Sequence, residues 1–380
     1  MYVTAGAGHR RAAEALADTL RDRYPNADIQ LLDVLTLAPG RFHAFYAWSY
    51  LLLVRRFSWI WKFSYALLDL APIYRIIQPI RRGWNLWITR RLVSQLATQP
   101  PDLILTTHFL PADVCSAGRG SGWLTAPLVV VVTDLHPHRF WISRETDAFV
   151  IATNEGADVL ARCGVARERI HTIGIPISKR FGEPVDRAQL RERFQLPPNR
   201  LTVLVTSGGT TVGRFESVVE SLLALETAMP GKLQLIVVCG ENHVTHARLE
   251  QQARTSSMPL RVFGFVDYMA ELMAVSDLIV TKAGGLTVSE ALGRNVPMIL
   301  YHVIPGQERA NAEYVMRRGA ARIAHTPQEV ALAVHQCLQE PQRLEAMRQA
   351  VRSLSRPDAA ATIVSQVIDP LVRSMRINAH

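Results

Sequence analysis

The chain has 380 residues, 48% of them hydrophobic and 20% charged, with a formal net charge of +9. That balance excludes a disordered or fibrous chain and leaves room for two globular domains of ordinary size. The four cysteines (Cys115, Cys163, Cys239, Cys337) are scattered, with neither metal-ligand spacing nor disulfide density, which points to a reducing cytoplasm and to no bound metal.

Met1 to Thr4 reads as a short first strand running directly into Gly6-Ala7-Gly8-His9, with no signal peptide in view. A buried strand ordinarily has about five or six residues, so the shortness predicts an upstream start. The glycine loop TAGAGHRRAAEAL feeds a helix, and Asp33 after the apolar run Ile29 to Leu32 could serve as the ribose-binding acid of a dinucleotide fingerprint. Arg11 stands where the third glycine belongs, which weakens that reading.

From Arg41 to Arg91 the basic residues Arg41, Arg55, Arg56, Lys62, Arg75, Arg81, Arg82, Arg90 and Arg91 face a single acid, Asp69. Interleaved with them are Trp48, Trp59, Trp61, Trp84 and Trp87. Tryptophan and arginine on apolar helices suit the headgroup layer of an anionic membrane. The apolar run before Arg55 is shorter than the roughly 20 residues that span a bilayer, so the segment is expected to lie on the membrane. A helical hairpin packed in the core, with arginines snorkelling outward, is the alternative. Nucleic acid is disfavoured because no basic stripe and no recognition motif accompany the charge.

Apolar runs at Leu103 to Leu105, Leu128 to Val132 and Ala148 to Ile151 alternate with helical stretches, as parallel strands buried on both faces do. Asp134 ends the VVVVTD run and reads as a general base, the residue that orients one, or a helix cap. Asp134, His136 and His138 lack a fourth metal ligand, and Pro137 among them favours a surface turn. His108 in TTHF supports the site from behind or is simply a satisfied buried histidine. The Pro- and Gly-rich GIPISKRFGEPVDRAQL, followed by LPPNR, marks a linker.

The second half repeats the pattern at Leu201 to Val205, Leu233 to Val238, Leu260 to Phe263, Leu278 to Val280 and Met298 to Leu300. Its first strand runs into Ser207-Gly208-Gly209-Thr210, which lacks the Gly-Lys-Ser/Thr of a Walker loop. Gly284 and Gly285 form a turn, with a helix beginning at Thr287 to Leu292; its outward N–H groups suit a phosphate. Glu290, expected in about the first turn, could hold a ribose diol or merely complement the helix dipole. Gln307 and Glu308, expected in a loop after Pro305-Gly306, supply polar groups for a sugar. Asp358 to Arg373 reads as a last helix.

The ordered motifs GAGHRRAAEAL, PDLILTTHF, VVTDLHPHRFW, GIPIS, CGENH, FGFVDYMAELMAVSDLIVTKAGGLTVSEAL and PGQERANAEYV resemble the monogalactosyldiacylglycerol synthase and processive diacylglycerol glucosyltransferase family. These are GT-B enzymes related to the N-acetylglucosaminyltransferase that makes lipid II. The resemblance covers nearly the whole chain and implies two Rossmann-like parallel-sheet α/β domains facing across a cleft. Residues 1–180 would take the lipid acceptor and meet the membrane, and 181–357 would bind the UDP-sugar. Residues 358–380 would form a C-terminal helix that could pack back on the first domain.

The resemblance also implies an inverting transfer of hexose from UDP-glucose or UDP-galactose to diacylglycerol, needing no further cofactor, by a peripheral protein on the cytoplasmic face of the cell membrane. It places Phe265 and the Val266 backbone beside uracil and Glu290 on the ribose. Gly284, Gly285, Leu286 and Thr287 fall on the phosphates, with Gly8, Ser207, Gly208 and Gly209 as further donor-side backbone, and Gln307 and Glu308 on the hexose. His9 falls at the general base, with Asp134 as its rival. His138 and Trp141 match a pattern near the acceptor, although Ser143 stands where some members carry histidine. Trp48, Arg55, Arg56, Trp59, Trp61, Arg81 and Arg82 are the expected membrane contacts. A lipid II-type transferase, a UDP-sugar epimerase and a non-catalytic UDP-sugar-binding protein are the competing readings.

Overall fold

The computed structural model describes residues 1–4, 6–40, 63, 67–206 and 215–378. The expected sites Trp48, Arg55, Arg56, Trp59, Trp61, Ser207, Gly208 and Gly209 lie outside the described residues. The chain divides into two compact units. One comprises Met1–Lys179, Pro305–Gln307 and Asp358–His380, and the other Arg180–Ile304 with Glu308–Pro357.

The first unit contains a parallel sheet in the order β1 (Ile104–Thr106), β2 (Leu128–Val131), β3 (Ala148–Ile151) and β4 (Ile170–Thr172). Every residue of β2 and β3 is buried, which is why these strands read as unbroken apolar runs without polar alternation. Val130, Phe149 and Ile151 pack on one face with Leu92, Leu110 and Trp141. Val129, Val131 and Val150 pack on the other with Leu16, Leu20, Ile363 and Val367. The C-terminal segment from Ala359 to Asn378 thereby covers the same face as the first helix, Ala7–Arg23. Asp369 ties the two by accepting from Arg23 at 2.8 Å and Tyr24 at 2.5 Å.

The expected first strand, Met1 to Thr4, and the apolar run Ile29 to Leu32 do not form a ladder. Tyr2 makes one isolated bridge to Asp33, while the Met1 amino group donates to Leu105 O and Thr107 N–H to Met1 O. The segment is thus held beside β1 by single pairs, too few to register as a strand. Asp33 is also no ribose acid in waiting. It accepts from Thr4 Oγ1 at 2.5 Å and from the Leu35 N–H at 3.1 Å, capping the 3₁₀ turn Val34–Leu37.

Among its described residues the second unit has six parallel strands in the order β10 (Ala321–Ala324), β9 (Met298–Tyr301), β8 (Leu278–Thr281), β5 (Leu201–Thr206), β6 (Leu233–Val238) and β7 (Leu260–Phe263). From β5 the chain runs outward through β6 and β7, then returns to β8 on the other side of β5. Strand order reverses there, and the carboxyl ends of such neighbours are where open α/β sheets bind ligands.

Candidate active site

His9 is the third residue of its helix, and Gly6 before it has φ 149° and ψ 163°, a region open at little cost only to glycine. That turn brings the imidazole to the end of β1. Nδ1 of His9 lies 2.8 Å from the carbonyl oxygen of Thr107 and 2.8 Å from Thr133 Oγ1. A carbonyl oxygen only accepts, so Nδ1 carries the proton and Nε2 is bare. Thr107 grips the residue a second time, its hydroxyl donating to His9 O at 2.8 Å. Packing strips water from the ring and lowers its pKa to about 4, with the Thr107 bond acting in the opposite direction. The base expected at an ordinary histidine pKa is therefore a weaker base, neutral throughout the physiological range.

Asp134 lies in a bend after β2, partly exposed. Its neighbour Thr133 places a hydroxyl on His9 Nδ1. His138 and Trp141 are buried. The His138 Nδ1 accepts from Phe140 N–H at 3.1 Å and caps the turn Arg139–Trp141; its neighbour His136 is exposed. The expected surface turn is thus half wrong, because His138 faces inward. Trp141 lies 6.2 Å from His9, centroid to centroid, and the Ser143 hydroxyl is 2.6 Å from that of Thr146. No group of His, Cys, Asp and Glu suited to a metal occurs among the described residues.

Arg81 is not the membrane-facing cation the sequence suggested. Only 12% of its side chain is exposed; it stacks 4.6 Å above the Phe140 ring and lies 3.6 Å from Asp113. Arg82 shares that carboxylate at 3.7 Å. The outward face of the same helix, Ala71–Ile88, is apolar instead. Ile76 (70% exposed), Ile80 (70%), Trp84 (54%) and Trp87 (55%) recur at helical spacing and share one side. Arg75 on the same helix, and Arg90 and Arg91 at the start of the next, are exposed. No described helix is long and apolar enough to cross a membrane.

In the second unit the turn after β8 starts its helix at Gly285, earlier than expected, with Gly284 as N-cap and no side-chain cap. The N–H groups of Gly285, Leu286 and Thr287 precede the first intrahelical bond, Val288 N–H to Gly284 O, and so are free of helical partners. Open space surrounds the position a Gly284 Cβ would take. Gly8 has an equivalent place in the first unit, where the Ala7–Arg23 helix likewise begins without a side-chain cap.

Glu290 falls in the second turn, not the first, and is 3% exposed. The dipole of its own helix fades beyond the first turn, so helix-end electrostatics does not account for a buried carboxylate there. Gln307 and Glu308 are not loop residues. They open the helix Gln307–Arg317 after Gly306, whose φ of +102° suits glycine. The Glu308 Oε2 accepts from Ile304 N–H at 3.2 Å, and burial raises its pKa against the opposing pull of Lys282. Phe265 is 64% exposed while Val266 is buried, leaving an aromatic face available after β7.

Four contributors escape sequence reasoning. Lys282 is buried and, with Thr206, Thr281 and His302, lines a recess at the carboxyl ends of β5, β8 and β9. Asn311 is fully buried and donates to Ala283 O at 3.0 Å, fastening the Gln307 helix to the glycine turn. Thr107 and Thr133 act on His9. A carbonyl contact leaves no trace in side-chain spacing, but the asparagine four residues beyond Gln307 was a readable signal.

The first unit and the second match different family models. The monogalactosyldiacylglycerol (MGDG) synthase model covers residues 9–177, and the glycosyltransferase family 28 C-terminal domain model covers 202–363. The processive diacylglycerol beta-glucosyltransferase of Bacillus mycoides (strain KBAB4) is 32% identical over 280 residues, 73% of this chain and 70% of its own length. That of Bacillus thuringiensis (strain Al Hakam) is 33% identical over 281 residues, 74% and 71% of the two chains. Among solved structures, MurG of Acinetobacter baumannii has a TM-score of 0.62 at 18% identity over 97% of this chain and 98% of its own. A UDP-GlcNAc 2-epimerase of Neisseria meningitidis, bound to UDP-GlcNAc, has a TM-score of 0.58 at 15% identity, covering 74% and 80%. At such identities the structural likeness speaks for the fold alone, and the fold is the expected GT-B pair of parallel-sheet α/β domains.

Proposed function

The chain belongs to the monogalactosyldiacylglycerol synthase and diacylglycerol glucosyltransferase family of glycosyltransferases, and from that premise we propose that it transfers hexose from UDP-glucose or UDP-galactose to diacylglycerol, with inversion, at the cytoplasmic membrane face. The observation that carries this reading is the fixed tautomer of His9. With Nδ1–H held by Thr107 O, the bare Nε2 takes the proton of the acceptor hydroxyl as its oxygen bonds to the anomeric carbon. The bond from that carbon to the UDP oxygen breaks as UDP departs with the electron pair, and the imidazolium keeps its Nδ1 bond throughout. His9 then returns its proton to solvent. Asp134 is the rival base.

Each remaining role is assigned on the same premise. Uncapped N–H groups of Gly285, Leu286 and Thr287 stabilise diphosphate charge, and Gly8 remains assigned to the donor by resemblance alone. Buried Glu290 takes the ribose hydroxyls, Gln307 and Glu308 the hexose, and exposed Phe265 with the Val266 backbone the uracil. Ser207, Gly208 and Gly209 remain assigned by resemblance. His138 and Trp141 shape the acceptor side, Trp141 through its packing beside His9.

The stripe Ile76, Ile80, Trp84 and Trp87 supports docking on an anionic lipid surface, with Arg75, Arg90 and Arg91 meeting headgroups. An enzyme acting only on soluble nucleotide sugars has no use for such a stripe, which favours the lipid transferase over an epimerase. The test is incubation of purified protein with diacylglycerol vesicles and each common UDP-hexose. A hexosyldiacylglycerol product is expected; its absence with every donor tested would remove the proposal.

A further inference from the structure

We propose that His108 is a positioning residue for the catalytic base, its ring bracing the His9 imidazole; this rests on the reading of His9 as that base. Thr107 and His108 are consecutive, so one short segment presents a carbonyl oxygen to His9 Nδ1 and an imidazole to the His9 ring. The two rings meet edge to face, centroids 4.7 Å apart and planes at 83°. The Thr107 and Thr133 contacts both fall on Nδ1, which pins one corner of the ring but leaves it free to tilt about that corner. A second ring set across it removes that freedom.

His108 is itself rigidly held. It is buried, and its Nδ1 accepts from Leu110 N–H at 3.0 Å, making it the N-cap of the helix Phe109–Gly120. Accepting at Nδ1 places its proton on Nε2, the tautomer opposite to that of His9. Behind it, Phe109 lies 4.1 Å away, centroid to centroid. Phe140 is 5.6 Å from Phe109 and carries the Arg81 guanidinium 4.6 Å above its face. Burial keeps the His108 imidazole neutral. A neutral brace matters chemically, because a cation there would oppose the positive charge His9 acquires when it takes the acceptor proton.

Cap and brace are separable by substitution. Asparagine at 108 keeps an acceptor for the Leu110 N–H and removes the ring; phenylalanine keeps a ring and loses the cap. His108→Asn is expected to fold with unchanged UDP binding and KM for the UDP-sugar, a kcat lowered about tenfold, and an acid limb of kcat/KM moved toward the ordinary histidine range. His108→Phe is expected to melt lower yet keep kcat within about threefold of the parent. Parental kcat and pH profile in His108→Asn, or equal loss of kcat in both variants, overturns the bracing role. His9→Ala, assayed alongside, separates the two levels. Full turnover there removes the base reading itself, whereas an inactive His9→Ala beside a fully active His108→Asn removes only the brace.

Discussion

The Nδ1 of His9 donates to the carbonyl oxygen of Thr107 across 2.8 Å, and this one bond fixes which nitrogen of the ring is available for chemistry. Replacing His9 by alanine is expected to lower kcat by roughly 10²- to 10⁴-fold, the usual contribution of a positioned base. UDP binding, measured by calorimetry, should persist, because Phe265, Glu290 and the Gly285, Leu286 and Thr287 N–H groups lie in other segments and the Gly8 contribution is a backbone group that the substitution leaves in place. Turnover within a factor of two of the parent would shift the base role to Asp134.

The pH dependence follows from the same environment. His9 is lowered to about 4, so the bare Nε2 that the proposed transfer uses is present above that value and lost as pH falls through it. The kcat/KM profile should be flat from pH 6 to 8, with its acid limb near pH 4. Folding follows the same sign. Between about 4 and the unfolded value near 6.5 the unfolded chain binds a proton that the folded chain refuses, so acidification across that window favours unfolding through this residue. A limb at pH 6.5 would mean that the ring is solvated during turnover.

Thr133→Val removes the hydroxyl beside Nδ1 while keeping the side chain's shape. Because the Thr107 carbonyl still selects the tautomer, a modest fall in kcat of about three- to tenfold is expected, without change in the KM for UDP-sugar. A loss as large as that of His9→Ala would mean that Thr133 sets the tautomer and the carbonyl does not.

Much of this was legible in the chain. The unbroken apolar runs of β2 and β3 announced buried parallel strands, and the glycine turn before Leu286 announced a helix start. Position within helices was harder. Glu290 shifted to a second turn because Gly284 and Gly285, unlikely helix formers by propensity, cap and begin the helix there. Gln307 and Glu308 looked like loop residues because Pro305-Gly306 ends at a boundary that is also a helix start. Arg81 misled for a different reason: a basic residue among tryptophans reads as surface charge, but Asp113, far away in sequence, draws it inward while its neighbours Ile80 and Trp84 turn out. The carbonyl of Thr107 could not be read at all, since backbone contacts carry no residue identity.

Asn311→Ala leaves the buried carbonyl of Ala283 without its donor, at a cost of about 1–3 kcal/mol. The melting temperature should fall, and the KM for UDP-sugar should rise as the glycine turn loosens from the Gln307 helix. Differential scanning calorimetry with donor-saturation kinetics checks both. Unchanged KM would confine Asn311 to stability.

Trp84→Ser with Trp87→Ser should weaken binding to anionic vesicles by at least tenfold, since each buried tryptophan contributes on the order of 1.5–3 kcal/mol. Arg81→Gln should leave vesicle binding nearly intact, because that side chain faces Asp113 and Phe140. Sedimentation at two salt concentrations distinguishes the two. Greater loss from Arg81→Gln would contradict the outward assignment of the tryptophans.

Hexose transfer to lipid is read most directly by mass-spectrometric analysis of lipid recovered after incubating the protein with diacylglycerol in anionic vesicles and a panel of UDP-hexoses. A β-hexosyldiacylglycerol is expected with UDP-glucose or UDP-galactose, formed by the parent chain and reduced at least about a hundredfold in His9→Ala. UDP release or donor epimerisation without any lipid-linked hexose would contradict it.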